Sequence, residues 1–233
     1  MKRFLIASVL SLVCLANVSL RAELITVAWE INGVSGFGPS PFGQSGTTNP
    51  TVTANLVRGS GVTTTGTAAT NAWGGNGFDA SNLTNAISGG DFITISITNL
   101  GPDLLSLTSF TPFNVRRSGT GPTSGQFQFQ KPDNTWVNVG SQLSYPSNSS
   151  GGNNFGSIDL AAVAGTQELV AGTYNFRLVN WGGTSSSGTW YFNNFQSGPD
   201  FSFTGTLTAV PEPTALLLAG VGLAIVGCRR KRR

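Results

Sequence analysis

The sequence contains no histidine, and its two cysteines, Cys14 and Cys228, lie near opposite ends of the chain. Without histidine, Ser-His-Asp and Cys-His catalysis are excluded. The interior of the chain has neither residue, so it can hold no His/Cys zinc site and no disulfide framework. Calcium binding through oxygen ligands alone stays open. We expect no cofactor and no metal site.

Charge is also scarce, and most of the positive charge lies at the termini. Charged residues make up 10% of the chain, whose formal net charge is +3. Residues 23–209 contain only five cations against nine carboxylates, a net charge of about −4. The basic character of the whole chain therefore belongs to its ends, and it gives no argument for binding to nucleic acid.

Residues 1–22 have the composition of a secretory signal peptide. Lys2 and Arg3 precede an apolar run, residues 4–16, and Ala22 is a small residue suited to cleavage. This order of a positive segment, an apolar segment and a small residue is typical of a signal that is removed on export. We therefore predict that the chain is exported.

Residues 210–233 consist of a proline-rich segment, an apolar run and a basic tail. Residues 214–228 have no formal charge, and residues 229–233 are five consecutive cations. As a helix, the apolar run would be about 22 Å long, which is shorter than the roughly 30 Å hydrocarbon core. Arginine side chains that snorkel can supply part of the missing length. We predict a transmembrane helix over residues 214–228, with the basic tail holding the C-terminus in the cytoplasm.

Pro211-Glu212-Pro213, followed by this apolar run and basic tail, resembles the PEP-CTERM sorting signal of exported bacterial proteins. The resemblance implies that an exosortase, a membrane-embedded cysteine transpeptidase, recognises Pro211, Glu212 and Pro213 and cleaves near them. These residues would form a sorting motif in a substrate, with no catalytic role. The family is often linked to extracellular polysaccharide, which makes such a polysaccharide a possible partner. The alternative is an ordinary single-pass anchor after a proline-rich linker.

Residues 23–209 are long enough for one substantial core, and their pattern predicts an all-β domain. Apolar and polar residues alternate as in half-buried antiparallel strands. The predicted strands are residues 24–31, 52–57, 91–99, 104–115, 126–130, 135–139, 155–160, 173–179, 189–195 and 200–208. Polar turns separate them, which favours an antiparallel two-sheet sandwich, jelly-roll-like or Ig-like. A closed barrel is the alternative.

Smaller features complete this interpretation of the body. We predict one short helical turn at residues 160–164, a surface loop at residues 33–50, and either a loop or an edge strand at residues 59–70. Residues 104–209 also resemble a β-sandwich module of PEP-CTERM proteins. That resemblance implies no catalytic residues.

The charged residues of the body show no catalytic pattern. Glycoside hydrolysis needs two facing carboxyls, and no two carboxylates lie close in the sequence. Four aspartates at expected strand starts or turns are predicted to bond to local backbone: Asp91, Asp103, Asp133 and Asp200. Arg116 and Arg117 would face opposite sides of a strand. A hydrolase is therefore the least favoured function.

Two tryptophans are the candidate binding residues. Trp73 and Trp181 are each followed by Gly-Gly, which suggests positions in loops or at strand ends. An exposed indole can stack on a sugar ring, whereas the alternative is that both side chains close the ends of the sandwich. We predict a non-enzymatic envelope or extracellular-matrix protein with a structural or adhesive role. The alternative function is a carbohydrate-binding module that uses Trp73 and Trp181.

Overall fold

The computed structural model describes residues 21–210, and within them residues Leu24–Leu207 form one compact unit. Nearly all of the predicted signal peptide and sorting segment lies outside the described residues, including the predicted span at residues 214–228. In the described part of the chain, no helix has the length and apolar character needed to cross a membrane.

The described residues form fifteen strands and one helix. The first eight strands are β1 (Ala22–Trp29), β2 (Phe42–Gly43), β3 (Gly46–Thr47), β4 (Val52–Arg58), β5 (Ala72–Asn76), β6 (Phe92–Asn99), β7 (Leu104–Phe110) and β8 (Phe113–Arg117). The others are β9 (Ser124–Gln130), β10 (Trp136–Ser144), β11 (Asn153–Phe155), β12 (Ile158–Asp159), β13 (Gly172–Trp181), β14 (Thr189–Asn193) and β15 (Phe201–Thr208). The helix, α1, spans Leu83–Gly89.

These strands form three antiparallel sheets, which confirms the all-β class. The five-stranded sheet has the order β12-β7-β15-β1-β3, and the six-stranded sheet has the order β10-β9-β13-β6-β4-β2. A four-stranded sheet, β11-β8-β14-β5, is the third. The arrangement is sandwich-like, but the predicted number of two sheets is wrong because the chain moves into a separate sheet at β5, β8, β11 and β14.

Strict alternation of side chains explains the long strands. In β6, Ile93, Ile95 and Ile97 are fully buried, whereas the intervening Thr94 and Ser96 are half-buried. Successive side chains of a strand point to opposite faces, so one face of β6 meets the core and the other is partly open to solvent. The same alternation fixes the inward faces of β1 and β15, as the sequence predicts.

All three sheets contribute to one hydrophobic core. Phe110 of the five-stranded sheet has its ring centroid 5.3 Å from that of Phe127 in the six-stranded sheet. It also lies 6.4 Å from Phe192 in the four-stranded sheet. Burial of each phenylalanine side chain stabilises the folded protein by about 1.5–3 kcal/mol. These contacts therefore hold the three sheets together.

Two predicted strands are each divided in the structure. Residues 104–115 form β7 and β8, which belong to different sheets, and Thr111 and Pro112 lie between them. Proline has no N–H for a sheet ladder, and the chain leaves the first sheet at this point. Residues 155–160 are likewise divided between the end of β11 and β12.

The helix lies elsewhere than predicted. Residues 160–164 form only a turn, whereas α1 begins after Asn82, whose side chain accepts a hydrogen bond from the N–H of Asn85 at 3.0 Å. It ends at Gly90, which has φ of 84°. An asparagine N-cap and a left-handed glycine are standard helix boundaries, but α1 is too short for a clear helical period.

Strand β5 continues through the two glycines after Trp73, where the sequence suggested a loop or a strand end. Gly74 is paired with Tyr191 of β14 in the middle of the strand. A Cβ atom at Gly74 would overlap the carbonyl oxygen of Trp190 and lie 2.7 Å from the Cα atom of Tyr191. The two strands therefore require glycine because their backbones approach closely.

Replacing Gly74 with alanine is expected to lower the free energy of unfolding by about 1–3 kcal/mol, the usual cost of overpacking. The matched control is Gly43→Ala, since Gly43 also lies in a strand but has open space where the methyl group of an alanine would lie. Denaturant unfolding of both variants measures the difference. Equal stability of the two variants would contradict the close approach of β5 and β14.

Candidate functional site

The predicted sorting motif, Pro211, Glu212 and Pro213, lies outside the described residues. A binding site formed by the body must therefore be sought among residues 21–210. The structure separates the two candidate tryptophans, Trp73 and Trp181, because it buries one and leaves the other partly open.

Trp73 is fully buried in the core, which excludes the exposed alternative for its indole and leaves the packing alternative. Its ring stacks on Phe42 with centroids 6.0 Å apart, and the guanidinium of Arg58 lies 4.8 Å from its centroid. The indole N–H donates to the carbonyl oxygen of Pro39 at 2.7 Å. A sugar ring has no access to this indole, which acts as a packing residue.

Trp181 is half-buried and is the last residue of β13. Its pairing with Ser124 places it on the outward side of the six-stranded sheet, in the same alternation as Arg177. Gly182 follows with φ of 83°, so the Gly-Gly pair does mark a strand end here. The expected position of Trp181 at a strand end is confirmed.

The outward side of the six-stranded sheet, which we call the polar face, consists of the outward side chains of β10, β9, β13, β6 and β4. Arg177 of β13 is paired with Gln128 of β9 on one side and with Thr94 of β6 on the other. Asn175 is similarly paired with Ser96. Directly paired residues share a face of the sheet, so these side chains form rows across the strands.

One row of hydrogen bonds joins β6, β13 and β9. The Ser96 hydroxyl donates to Oδ1 of Asn175 at 2.8 Å. The Asn175 amide then donates to Oε1 of Gln130 at 3.0 Å. Because each amide is held by its neighbours, this row presents fixed polar groups to the solvent side of the sheet.

A second row joins β13, β9 and β10. Arg177 Nε donates to Oε1 of Gln128 at 2.7 Å, and the Gln128 amide donates to Oδ1 of Asn138 at 2.7 Å. The two rows lie side by side because Asn175 and Arg177 are two residues apart on one strand. Together they make the centre of the polar face a network of amides with one cation.

The cation of this face, Arg177, is held between two aromatic rings. Its Cζ atom lies 4.0 Å from the ring centroid of Trp136 and 5.4 Å from that of Phe92. The residue is 7% exposed, and burial lowers the pKa of the guanidinium from its ordinary value. Arginine remains protonated in proteins, so the face retains its positive charge.

No carboxylate of the described residues pairs with Arg177. The one ion pair in residues 21–210 joins Lys131 and Asp133 at 3.3 Å. Sequence reasoning did not assign a role to Arg177, Phe92 or Trp136 at a site. The alternation of β13 places Arg177 outward, but only the strand register brings Trp136 and Phe92 beside it.

Arg117 and Arg58 bind backbone carbonyls. Arg117 is buried, and its Nε donates to the carbonyl oxygen of Tyr145 at 2.6 Å. It is paired with Trp190, whereas Arg116 is paired with Tyr191, so the two arginines face opposite sides as predicted. Arg58 donates to the carbonyl oxygen of Gly74 at 2.6 Å.

Asp200 and Asp133 are among the aspartates that bond to backbone N–H groups. Asp200 is fully buried and accepts from Ile31 N at 2.8 Å and from Phe195 N at 3.0 Å. Asp133 accepts from the N–H of Thr135 at 3.0 Å, and the hydrogen bonds from Thr135 lower its pKa to about 2. Within residues 21–210, no group of three or more His, Cys, Asp or Glu side chains is arranged to hold a metal ion.

Asp91 differs from these aspartates because burial raises the pKa of its carboxyl to about 6. A hydrogen bond from the Ala80 backbone lowers this pKa, whereas the negative charge of Asp79 raises it further. A carboxyl whose pKa is higher in the folded protein favours folding while it is protonated. That stability is present below about pH 4 and is lost as the pH rises through about 6.

Asp91→Asn is therefore expected to unfold less readily than the wild-type protein at pH 7.5. The gain should be about 1–2 kcal/mol, because one unit of pKa corresponds to about 1.4 kcal/mol and partial hydration reduces the full value. The difference should nearly vanish at pH 3.5. Denaturant unfolding at both pH values measures it, with Glu168→Gln as the exposed control. A difference that does not change with pH would contradict the assignment.

The geometry of the body and the sequence of its C-terminal segment define a class, that of an exported β-sandwich-like protein with a sorting segment. Residues 209–233 match the family model for the PEP-CTERM protein-sorting motif. This match confirms the resemblance seen in Pro211, Glu212 and Pro213. The chain therefore carries a PEP-CTERM motif, which supports an exported, membrane-associated protein that is sorted by an exosortase.

Comparison with individual proteins adds only distant similarity. No curated protein matches the chain significantly. A two-domain protein of unknown function from Bacteroides fragilis is 15% identical, with a TM-score of 0.26, over 68% of this chain and 46% of its own. The structure of the infectious bursal disease virus Gx strain is 8% identical, with a TM-score of 0.24, over 90% of this chain and 68% of its own. The chain thus spans about half the length of the first of these structures.

Proposed function

We propose that the chain is a non-enzymatic bacterial protein of the cell envelope or extracellular matrix, with a structural or adhesive role. The observation that carries this proposal is the PEP-CTERM motif at residues 209–233. The signal peptide directs export, and residues 214–228 hold the protein in the inner membrane with its C-terminus in the cytoplasm. An exosortase then recognises Pro211, Glu212 and Pro213 and transfers the body to the cell surface or matrix.

The composition of the body supports a role outside the cell. Its main core draws on all three sheets and is rich in packed aromatic rings, as in the 4.4 Å contact of Phe192 and Phe201. Such a core needs no disulfide bond, in keeping with the absence of cysteine from residues 23–209. A body with a well-packed core and few charged residues suits a component that persists outside the cell and contacts other matrix components.

A carbohydrate-binding module is the second candidate function. The observation that favours it is the half-buried Trp181 on the polar face, which also contains fixed amides. Trp73 is not part of this proposed binding site because its side chain is buried. An indole beside amide groups offers both an apolar surface and hydrogen bonds to a sugar.

Replacing Pro211, Glu212 and Pro213 with alanines is expected to leave the unprocessed protein in the membrane, because the exosortase no longer recognises its substrate. Val210→Ala, at the neighbouring position, is the control and should be processed normally. Mass determination of the C-terminus and fractionation of the producing cells measure the outcome. Normal processing of the triple variant would show that another segment directs sorting.

Deleting residues 216–226 tests the anchor separately. Without seven strongly apolar side chains the segment cannot partition into the bilayer, so the exported body is expected in the soluble fraction. The control keeps this segment and replaces only the basic tail, which should preserve membrane retention. Continued fractionation of the deletion variant with membranes would refute the anchor at residues 214–228.

A further inference from the structure

We propose that the polar face of the six-stranded sheet binds an acidic polysaccharide. In this complex, Arg177 pairs with a carboxylate of a sugar acid, and Trp136 and Trp181 contact sugar rings. The inference rests on the proposed function, because it names the chemical class of the partner that an exported adhesive body would meet. It is supported by the charge, geometry and chemistry of the face.

The charge of the polar face is positive although the body as a whole is negative. Among the outward positions of the described strands β4, β6, β9, β10 and β13, Arg177 is the one residue with a formal charge. None of these positions holds Asp or Glu. A largely buried cation without a counter-ion is costly, and a hydrogen-bonded anion offsets that cost. A carboxylate supplied by a ligand would complete the site.

The guanidinium of Arg177 is already oriented for such a carboxylate. Trp136 and Phe92 fix its position, and Gln128 accepts from its Nε. Within the described residues, Nη1 and Nη2 have no hydrogen-bond partner, and they are not among the fully buried unsatisfied atoms. Two parallel N–H donors of this kind match the two oxygens of a carboxylate.

The rest of the face suits sugar hydroxyls. One row of hydrogen-bonded amides includes Arg177, and the other crosses the strands beside it. The hydroxyls of Thr98 and Thr173 continue the pattern at 2.9 Å from each other. Neighbouring rows are about 7 Å apart along the strands. Groups that both donate and accept hydrogen bonds in a regular array are suited to a polymer of hydroxylated rings.

Other macromolecules fit the face less well. Nucleic acid requires several cations for its phosphates, whereas this face offers one. A protein interface requires an apolar centre, and Val57 is the single strongly exposed apolar residue among the described outward positions. On an acidic polysaccharide, the single cation can pair with one sugar acid, while the fixed amides and the aromatic rings contact the hydroxyls and rings of the neighbouring sugars.

The test uses polygalacturonate, with its fully methyl-esterified form as the uncharged control of the same backbone. The full chain is studied in non-ionic detergent, in a background where residues 229–233 are replaced by glutamines. This background is necessary because the basic tail would itself attract a polyanion. Titration calorimetry is expected to detect binding of the acid and at least tenfold weaker binding of the ester.

Three variants locate the binding site. Arg177→Gln should weaken binding about tenfold or more, since it removes a charge-assisted hydrogen bond. Thr94→Glu places a carboxylate directly opposite Arg177 and should weaken binding similarly while it keeps the arginine. Arg116→Gln removes the same charge from the four-stranded sheet and should leave binding unchanged. Thermal unfolding confirms that each variant is folded.

Contact with the sugar rings has its own test. Trp181→Ala should weaken binding about two- to tenfold, the range expected when one aromatic contact is lost. Phe195→Ala, at an exposed aromatic residue outside the polar face, should have no effect. If only the charge variants reduce binding, the role of Trp181 is refuted.

Several results would overturn the proposal. These are equal binding of the acid and its ester, an equal loss of binding in Arg116→Gln, or full binding by a folded Thr94→Glu variant. None of these results depends on sorting, which is measured by processing of the C-terminus. Failure of polysaccharide binding with normal processing therefore refutes this inference alone, whereas unprocessed wild-type protein refutes the proposed function alone.

Discussion

Alternation of side chains along β6 and β13 is the constraint on which the rest of the structure depends. These paired central strands direct Ile95 and Phe176 into the core, so their other faces must turn outward together. A slip of one residue would exchange the two faces. The same register that buries the isoleucines therefore places Arg177 between β9 and β6, and the core and the polar face are two results of one pairing.

The sequence predicts the strands whose period is long and regular, and it predicts the others poorly. β6 and β15 alternate over eight residues, so their inward faces follow from the period alone. β2, β3 and β12 contain two residues each, which is too few to show any period. Their existence depends on partners distant in the chain, as in the pairing of Phe42 with Leu56. The number of sheets is a tertiary property of this kind.

The two Trp-Gly-Gly segments show why one local pattern predicts two different positions. At Gly182 the backbone has positive φ and leaves the strand, so glycine permits a turn. At Gly74 the strand continues, and glycine is required because the facing strand β14 is too close for a side chain. The residues are identical, but the reason for glycine differs, and only the partner strand distinguishes the two. Trp73 is consequently buried and Trp181 is not.

The buried and half-buried arginines replace their lost hydrogen bonds to water in different ways, and this difference distinguishes Arg177. Arg117 directs its guanidinium to carbonyl oxygens of Tyr145, Ser118 and Pro146, and Arg58 similarly binds Gly74 and Gly38. Backbone carbonyls outside the strands, together with that of Gly74 in β5, thus satisfy these two cations. Arg177 lies within a continuous ladder, where the carbonyls are already paired, so only Gln128 and the rings of Trp136 and Phe92 are available to it. Its two Nη groups consequently have no hydrogen-bond partner within the described residues, and an anion from outside would complete their hydrogen bonding.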